Sequence, residues 1–262
     1  MAGGATLELR ERTPSVRRRV PLRQMSAEPH ECATAVRRRI VDQVPLFAGL
    51  DRPALAEIDS RMRATSWAEG QDLYTEGDPA DHVYILASGR AKTLRVTPDG
   101  EEHVVDLLAP GDLFGGTGLL GSRERTETVR AMTTVCALRV GTEDLRRILL
   151  RHPEVGLRAL EATGRRLELA RAGLAAQALA TVPQRVAAVL LQVARKFGRR
   201  TADGGILLEV PLSRADIASM TGSTPESVSR AMSRWRAEGL IESGRRWTEL
   251  RDPERLEEIA LG

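Results

Sequence analysis

Four polar side chains in the C-terminal third of the chain recur at the spacing that places them on one helix face: Glu226, Ser229, Arg230 and Ser233. Val228, Met232 and Trp235 recur on the opposite face, which we therefore expect to be buried. In the major groove of DNA an arginine pairs with guanine, and a glutamate accepts a hydrogen bond from cytosine N4. We predict that Glu226, Ser229 and Arg230 read base edges from the first turns of this helix.

The residues around this helix predict a helix-turn-helix followed by a wing. Ser213 is placed to cap a first helix that ends at Gly222, and Thr224 with Pro225 begins the second. Two short strands around Gly244 would form the wing. A polar face on a lone helix is often merely solvated, but these neighbours favour DNA binding. Contacts to phosphates are expected from Arg214, Ser223, Thr224, Ser233, Arg245 and Arg246.

The net charge of the chain is no argument for nucleic acid by itself. The formal charge is +3, and the first 30 residues alone carry six arginines against three glutamates. Only Lys92 and Lys196 are lysines and arginine supplies the other 37 cations, so the basic balance indicates a compositional preference rather than a selected patch. Residues 1–37 lack apolar periodicity, and we expect them to form a disordered basic arm.

The rest of the chain divides by its hydrophobic period. Residues 44–140 are short alternating runs between glycine and proline turn signals, a pattern typical of an all-β sandwich or barrel. The period becomes helical after Gly141, and Thr181 with Pro183 predicts a new helix start, where we place a hinge. The predicted fold class is α+β, with a jelly-roll-like β-roll, a long dimerisation helix and a winged helix-turn-helix. The predicted boundaries are 1–37 for the arm, 38–151 for the β-roll, 152–180 for the long helix and 181–262 for the DNA-binding domain.

The long helix carries a heptad-like seam formed by Leu160, Thr163, Leu167, Ala170 and Leu174. Its remaining surface is mostly arginine, glutamate and alanine, which is too polar to bury. The seam therefore favours a two-fold homodimer over the alternative, a helix packed only on its own domain.

Several classes of protein are disfavoured. Cys32 and Cys136 are too few for an iron–sulfur cluster, and Cys136 alternates with apolar residues as a buried strand position would. The four histidines have no metal-ligand spacing, and no catalytic arrangement occurs, so we expect neither a metal site nor an enzyme. No apolar stretch has the length of a membrane helix or the form of a signal peptide, which predicts a cytoplasmic location.

Three regions resemble the Crp/Fnr superfamily of bacterial transcription regulators: VPLFAGLD at 44–51, EGDPADHVYILASGRAKTL at 76–94 with APGDLFG at 109–115, and LSRADIASMTGSTPESVSRAMSRWRAEGLI at 212–241. Glu226, Ser229 and Arg230 are in register with the base readers of the branch similar to the fumarate and nitrate reduction regulator. The resemblance thus implies a palindromic operator with a TGA-type core in each half-site, and RNA polymerase as a partner. Pro225 departs from the residues common there, which leaves the base preference at that position open.

The resemblance also locates an effector pocket, at Gly115, Gly116, Arg125, Thr126, Ala170 and Arg171. Arg125 and Thr126 match the phosphate-binding pair of the cAMP-binding members. Gly116 replaces their ribose-binding glutamate, and Ala170 with Arg171 replaces the pair that contacts adenine. Since each desolvated polar group left unpaired costs ~1–3 kcal/mol, we expect the effector not to be cAMP.

Other interpretations of the sensor remain open. Arg125 could instead form a structural ion pair with Glu124 or Glu127. Haem is not expected, because the Cys and His of the carbon monoxide sensor fall near Gly115 and Thr117 here. A regulator without any effector is a further possibility. The alternative function is a cyclic-nucleotide-responsive module that acts on a partner protein.

Overall fold

The computed structural model describes residues 40–42, 44–116, 121–244 and 246–262. The predicted arm at 1–37, which contains Cys32, lies outside these ranges. A 3₁₀ turn at Pro45–Phe47 and helix α1 (Arg52–Ser60) precede a roll of eight strands. The strands are β1 (Arg63–Trp67), β2 (Asp72–Tyr74), β3 (His82–Ser88), β4 (Ala91–Val96), β5 (Glu102–Leu108), β6 (Leu113–Phe114), β7 (Thr128–Ala131) and β8 (Val135–Gly141).

The roll consists of two four-stranded antiparallel sheets, in the orders β1-β8-β3-β6 and β2-β7-β4-β5. Successive residues of β8 alternate between two cores, as the strand period requires. Leu138 and Val140 pack with the helices outside the roll, whereas Val135 and Ala137 fill its interior. Cys136 is buried, which confirms the strand position predicted for it.

Helices α2 (Thr142–Arg151) and α3 (Pro153–Leu179) lead from the roll to the C-terminal domain, which begins with α4 (Val182–Phe197). The predicted helix restart is confirmed, because the Thr181 backbone N–H donates to Gln184 Oε1 at 2.7 Å and α4 begins one residue later. On α3 the Leu160 and Leu167 side chains are 69% and 52% exposed in the single chain. The Ala170 and Leu174 side chains lie outside the described part of the structure.

The C-terminal domain has the predicted helix-turn-helix and wing. After α4 its elements are β9 (Gly198–Arg200), β10 (Ile206–Leu208), α5 (Arg214–Thr221), α6 (Pro225–Ala237), β11 (Ile241–Gly244), β12 (Trp247–Leu250) and α7 (Pro253–Leu261). The wing hairpin extends into a sheet of order β11-β12-β10-β9. Strand β9 and the last helix, α7, were not predicted from the sequence; α7 packs against α4.

The sensor roll and the C-terminal domain share one continuous apolar cluster. Leu94, Val104 and Leu107 from the sheet β2-β7-β4-β5 are buried together with Leu190 of α4 and Trp235 of α6. The C-terminal domain is therefore docked on the outer face of this sheet. Within the described residues, no helix combines the length and apolarity needed to cross a membrane.

Burial of Trp235 predicts a large loss of stability on truncation. The side chain is fully buried in the shared cluster. We expect Trp235→Ala to lower the free energy of unfolding by about 3–5 kcal/mol, as measured by urea denaturation. Trp235→Phe is the matched control and should cost less, because the Trp235 Nε1 atom has no hydrogen-bond partner among the described residues. A loss below ~1 kcal/mol for Trp235→Ala would contradict this packing.

Candidate nucleic-acid interface

The helix-turn-helix is fixed by local hydrogen bonds at both helix starts. Ser213 Oγ accepts from the Asp216 backbone N–H at 3.0 Å, and the Ser213 N–H donates to Asp216 Oδ2 at 2.9 Å. This capping box satisfies donors at the start of α5 that would otherwise lack partners. Gly222 ends α5 with φ +56°, a left-handed conformation that glycine adopts without strain. Thr224 then caps α6, where its Oγ1 accepts from the Ser227 N–H at 3.3 Å.

The two faces of α6 are those that the spacing predicts. Val228, Met232 and Trp235 are buried, and this burial fixes the rotation of α6 about its axis. Three of the four polar residues, Glu226, Arg230 and Ser233, are exposed on the other side, and Ser229 is half-buried. The structure therefore brings the predicted base readers together on one outward face.

Ser227 belongs to this face although the sequence analysis did not select it. Its Oγ accepts from Arg230 Nη2 at 3.0 Å and from Thr224 Oγ1 at 3.2 Å. The spacing of Ser227 and Arg230 was a signal for this contact, because residues three apart on a helix are neighbours. The Arg230 side chain is thus tied to the helix start. It also borders a crevice of about 350 Å³ that Val182 and Pro183 at the start of α4 help to line.

The charge of Glu226 is stabilised at the start of α6. Its own backbone N–H and the Thr224 hydroxyl lower the pKa of Glu226, and the Arg230 charge adds to this effect. A lowered pKa keeps the carboxylate ionised at neutral pH, so the group is an acceptor only. This protonation state is the one that accepts a hydrogen bond from cytosine N4.

The predicted phosphate contacts occupy different environments. Arg214 is half-buried, and its Nη2 donates to Ser243 Oγ of the wing at 3.3 Å. Burial lowers the pKa of Arg214, and the nearby Arg236 charge lowers it further. Thr224 and Ser233 are exposed, whereas the hydroxyl of Ser223 pairs with Thr221 Oγ1 at 2.6 Å. Arg245 lies outside the described residues.

Arg246, the remaining phosphate candidate, contacts the sensor. Its Nη1 and Nη2 atoms donate to the two carboxylate oxygens of Glu69 at 2.5 and 2.9 Å, and Nη2 lies 3.4 Å from the carbonyl oxygen of Met132. The backbone of Arg246 has φ +71°, which is uncommon for a residue with a side chain. In this conformation its charge is neutralised by Glu69, so a phosphate contact would require this pair to open.

Arg125 of the predicted effector pocket is buried inside the roll. Its Nη1 donates to the carbonyl oxygen of Gly115 at 2.5 Å and its Nη2 to that of His82 at 2.6 Å. The described hydrogen bonds of this guanidinium are therefore to backbone carbonyls, not to Glu124 or Glu127. The guanidinium carbon lies 4.4 Å from the ring centroid of Tyr74 and 5.5 Å from that of Tyr84, within the range of cation–π contacts.

Among the described residues of the predicted pocket, Gly115 contacts Arg125, whereas Thr126 and Arg171 face solvent. No atom of the described residues lies within 4 Å of the place that a Cβ at Gly116 would take. The Ala170 side chain lies outside the described residues. Burial raises the pKa of Tyr74 and of Tyr84, so both rings stay neutral. These neutral rings and Phe114 pack into an aromatic cluster beside the guanidinium.

Known proteins match both domains of the chain. Residues 64–152 match the family model of the Cyclic nucleotide-binding domain, and residues 184–259 match that of the Crp-like helix-turn-helix domain. The chain is 31% identical over 218 residues to the CRP-like cAMP-activated global transcriptional regulator of Mycobacterium tuberculosis, which covers 83% of this chain and 96% of that protein. The chain belongs to the Crp/Fnr superfamily.

Two further proteins match this chain over nearly their whole length. The Cyclic AMP receptor protein of Thermus thermophilus is 30% identical over 221 residues, covering 83% of this chain and 97% of that protein. Among solved structures, FixK2 from Bradyrhizobium japonicum superposes with a TM-score of 0.67 at 26% identity, covering 76% of this chain and 96% of that one. This Crp/Fnr chain is a Crp-like transcriptional regulator with a helix-turn-helix DNA-binding domain. Its polar α6 face lies within the second family match, and Arg125 lies within the first.

Proposed function

We propose that this regulator is a homodimer that binds a palindromic operator with a TGA-type core in each half-site. The observation that carries the proposal is the outward face of α6, on which Glu226, Ser229 and Arg230 stand together at the start of a helix whose opposite face is buried. A recognition helix presents its first turns to base edges, and the three side chains lie there. On the resemblance, RNA polymerase is the expected protein partner.

The geometry of α6 supports direct base readout. The hydrogen bond from Arg230 to Ser227 limits the freedom of a long side chain before DNA is bound. Less side-chain entropy then remains to be lost on binding. The ionised Glu226 provides an acceptor one helical turn away. A guanidinium can donate two hydrogen bonds to guanine while the carboxylate accepts from cytosine, which gives the interface its sequence preference.

The exposed leucines of α3 support the homodimer. Leu157, Leu160 and Leu167 are each more than half exposed in the single chain. A row of exposed leucines on a long helix is typical of a seam that a second copy covers. A two-fold dimer would present two copies of α6 to half-sites about one helical turn (~34–36 Å) apart.

We also propose that the effector of this regulator is not cAMP. Two relatives carry cyclic AMP in their names, so the question is whether the residues of this chain suit that ligand. They do not, because Arg125 is 3% exposed and already donates to two backbone carbonyls, and because Gly116 offers no side chain to a ribose. A cyclic phosphate would have to displace both carbonyls from the guanidinium, and the nucleotide would leave polar groups unpaired.

Arg230→Ala tests the base-reading role. We expect the variant to lose ~1–3 kcal/mol of binding to a TGA palindrome and to discriminate less at one base pair of each half-site. The measurement is fluorescence anisotropy with the palindrome and a scrambled duplex at ~150 mM salt. Arg214→Ala is the matched control, since loss of a phosphate contact should weaken both duplexes alike. Equal binding of both duplexes by wild type and by Arg230→Ala would contradict the proposal.

Leu160→Glu tests the dimer seam. A buried carboxylate at the two-fold seam lacks a partner and disfavours association, so we expect sedimentation equilibrium to give the monomer mass. Leu261→Glu is the matched control, because Leu261 is 88% exposed at the C-terminus. It should sediment as the wild type does. The proposed seam would be wrong if Leu160→Glu remained dimeric.

Thermal unfolding with cAMP tests the effector proposal. A ligand at ~100 times its Kd stabilises the native state by ~2.7 kcal/mol, whereas we expect millimolar cAMP to leave the unfolding temperature and the operator affinity unchanged. Gly116→Glu is the informative variant, because it introduces the glutamate with which the cAMP-binding members bind the ribose. The open space around Gly116 admits this side chain. Saturable stabilisation of the wild type by cAMP would overturn the proposal.

A further inference from the structure

Within the described residues, ionic contacts join the sensor roll to the DNA-binding domain at three places. Lys92 Nζ on β4 lies 2.6 Å from Asp216 Oδ1, and Lys196 Nζ on α4 lies 2.8 Å from Asp112 Oδ2 and 3.8 Å from Asp106 Oδ1. The third contact is the bidentate pair of Arg246 and Glu69. Lys92 and Lys196 are the only lysines in a chain whose other cations are arginines, and both bridge the two domains. The compact ammonium of lysine, with three donors, suits such a confined position.

The contact of Lys92 reaches the helix-turn-helix itself. Asp216, its partner, is also the capping-box residue of α5. A second bond lies beside it, because the Val104 N–H of β5 donates to Ser219 Oγ of α5 at 2.7 Å. Since β5 is the edge strand of its sheet, this N–H points away from β4 and depends on the docked domain for its partner. The position of α5 is thus fixed by the sensor, and α6 follows it after a three-residue turn.

The contact between Arg246 and Glu69 makes the positive charge of this wing residue unavailable to DNA. A guanidinium binds a carboxylate and a phosphate through the same pair of donors, so Glu69 and a DNA phosphate compete for Arg246. The left-handed backbone of Arg246 is held by these bonds between domains. The same docked conformation therefore fixes the position of α5 and keeps Arg246 of the wing paired with Glu69.

We propose that Glu69–Arg246, Lys92–Asp216 and Lys196–Asp112 form a latch that holds the DNA-binding domain in a resting state of lower DNA affinity. This inference rests on the proposed function of the α6 face and adds how that face is regulated. The apolar cluster supplies the buried area between the domains, and the three ion pairs determine which orientation is kept. Opening the latch releases Arg246 to phosphates and frees α5 and α6 from the sensor sheet.

The salt dependence of DNA binding tests the release of Arg246. We compare wild type, Glu69→Gln, Arg246→Asn and the double variant on operator and scrambled duplexes across a series of salt concentrations. Asparagine is chosen because it tolerates the left-handed backbone at this position. Glu69→Gln should bind both duplexes several-fold more tightly, with a log–log salt slope steeper by ~0.9 for each added phosphate contact. Arg246→Asn should abolish this gain, so the double variant should match Arg246→Asn.

A control separates the latch from the general effect of removing a negative charge. Glu143 is exposed on α2, and Glu143→Gln should leave the salt slope at the wild-type value. A Glu69→Gln slope equal to that of wild type would overturn the latch. If neither duplex bound to any of these proteins, the proposed function itself would fail.

Hydrogen exchange tests the docking without DNA. Full-length Lys92→Met should exchange the Val104 amide several-fold faster than wild type, because this amide is protected only while α5 is docked. Amides inside the roll, such as those that pair β3 with β8, should be unchanged and show that the variant is folded. Unchanged exchange at Val104 would contradict the latch whatever the DNA experiments give.

Discussion

Burial of one stripe of α6 is the constraint on which the proposed DNA-reading surface depends. Val228, Met232 and Trp235 enter the apolar cluster that also contains α4 and the outer face of a sensor sheet. Once these side chains are buried, the rotation of α6 is fixed, and Glu226 with Arg230 must face outward. The same cluster joins the two domains, so the residues that orient the polar face of α6 also connect this helix to the sensor roll.

The roll matches the Cyclic nucleotide-binding domain, and its buried arginine is held by the backbone of the roll itself. Arg125 donates to the carbonyl oxygens of Gly115 and His82 and packs on Tyr74. The rings of Tyr74, Tyr84 and Phe114 pack around this buried charge. A charged group inside a protein needs such hydrogen-bond acceptors, and it receives them here from the backbone.

Local sequence signals predicted helices α5 and α6. Contacts between residues that are distant along the chain could not be predicted from the sequence. Ser213, Gly222 and Thr224 act within three or four residues of their own position, so the caps of α5 and α6 were predictable. Strand β9 has three residues and forms only by pairing with β10, which no local pattern encodes. The start of α7 does have a local signal, the cap of Asp252 before Pro253. Arg246 and Glu69 are 177 residues apart, so only the docked fold could show that they form a pair.

Selection of bound sequences from a random pool of duplex DNA tests the central claim most directly, because it assumes no operator. The full-length protein should enrich an inverted repeat with a TGA-type core in each half-site and centres about one helical turn (~34–36 Å) apart. Enrichment of single, unpaired half-sites would contradict the homodimer. A pool that gained no sequence preference would contradict base reading by the α6 face.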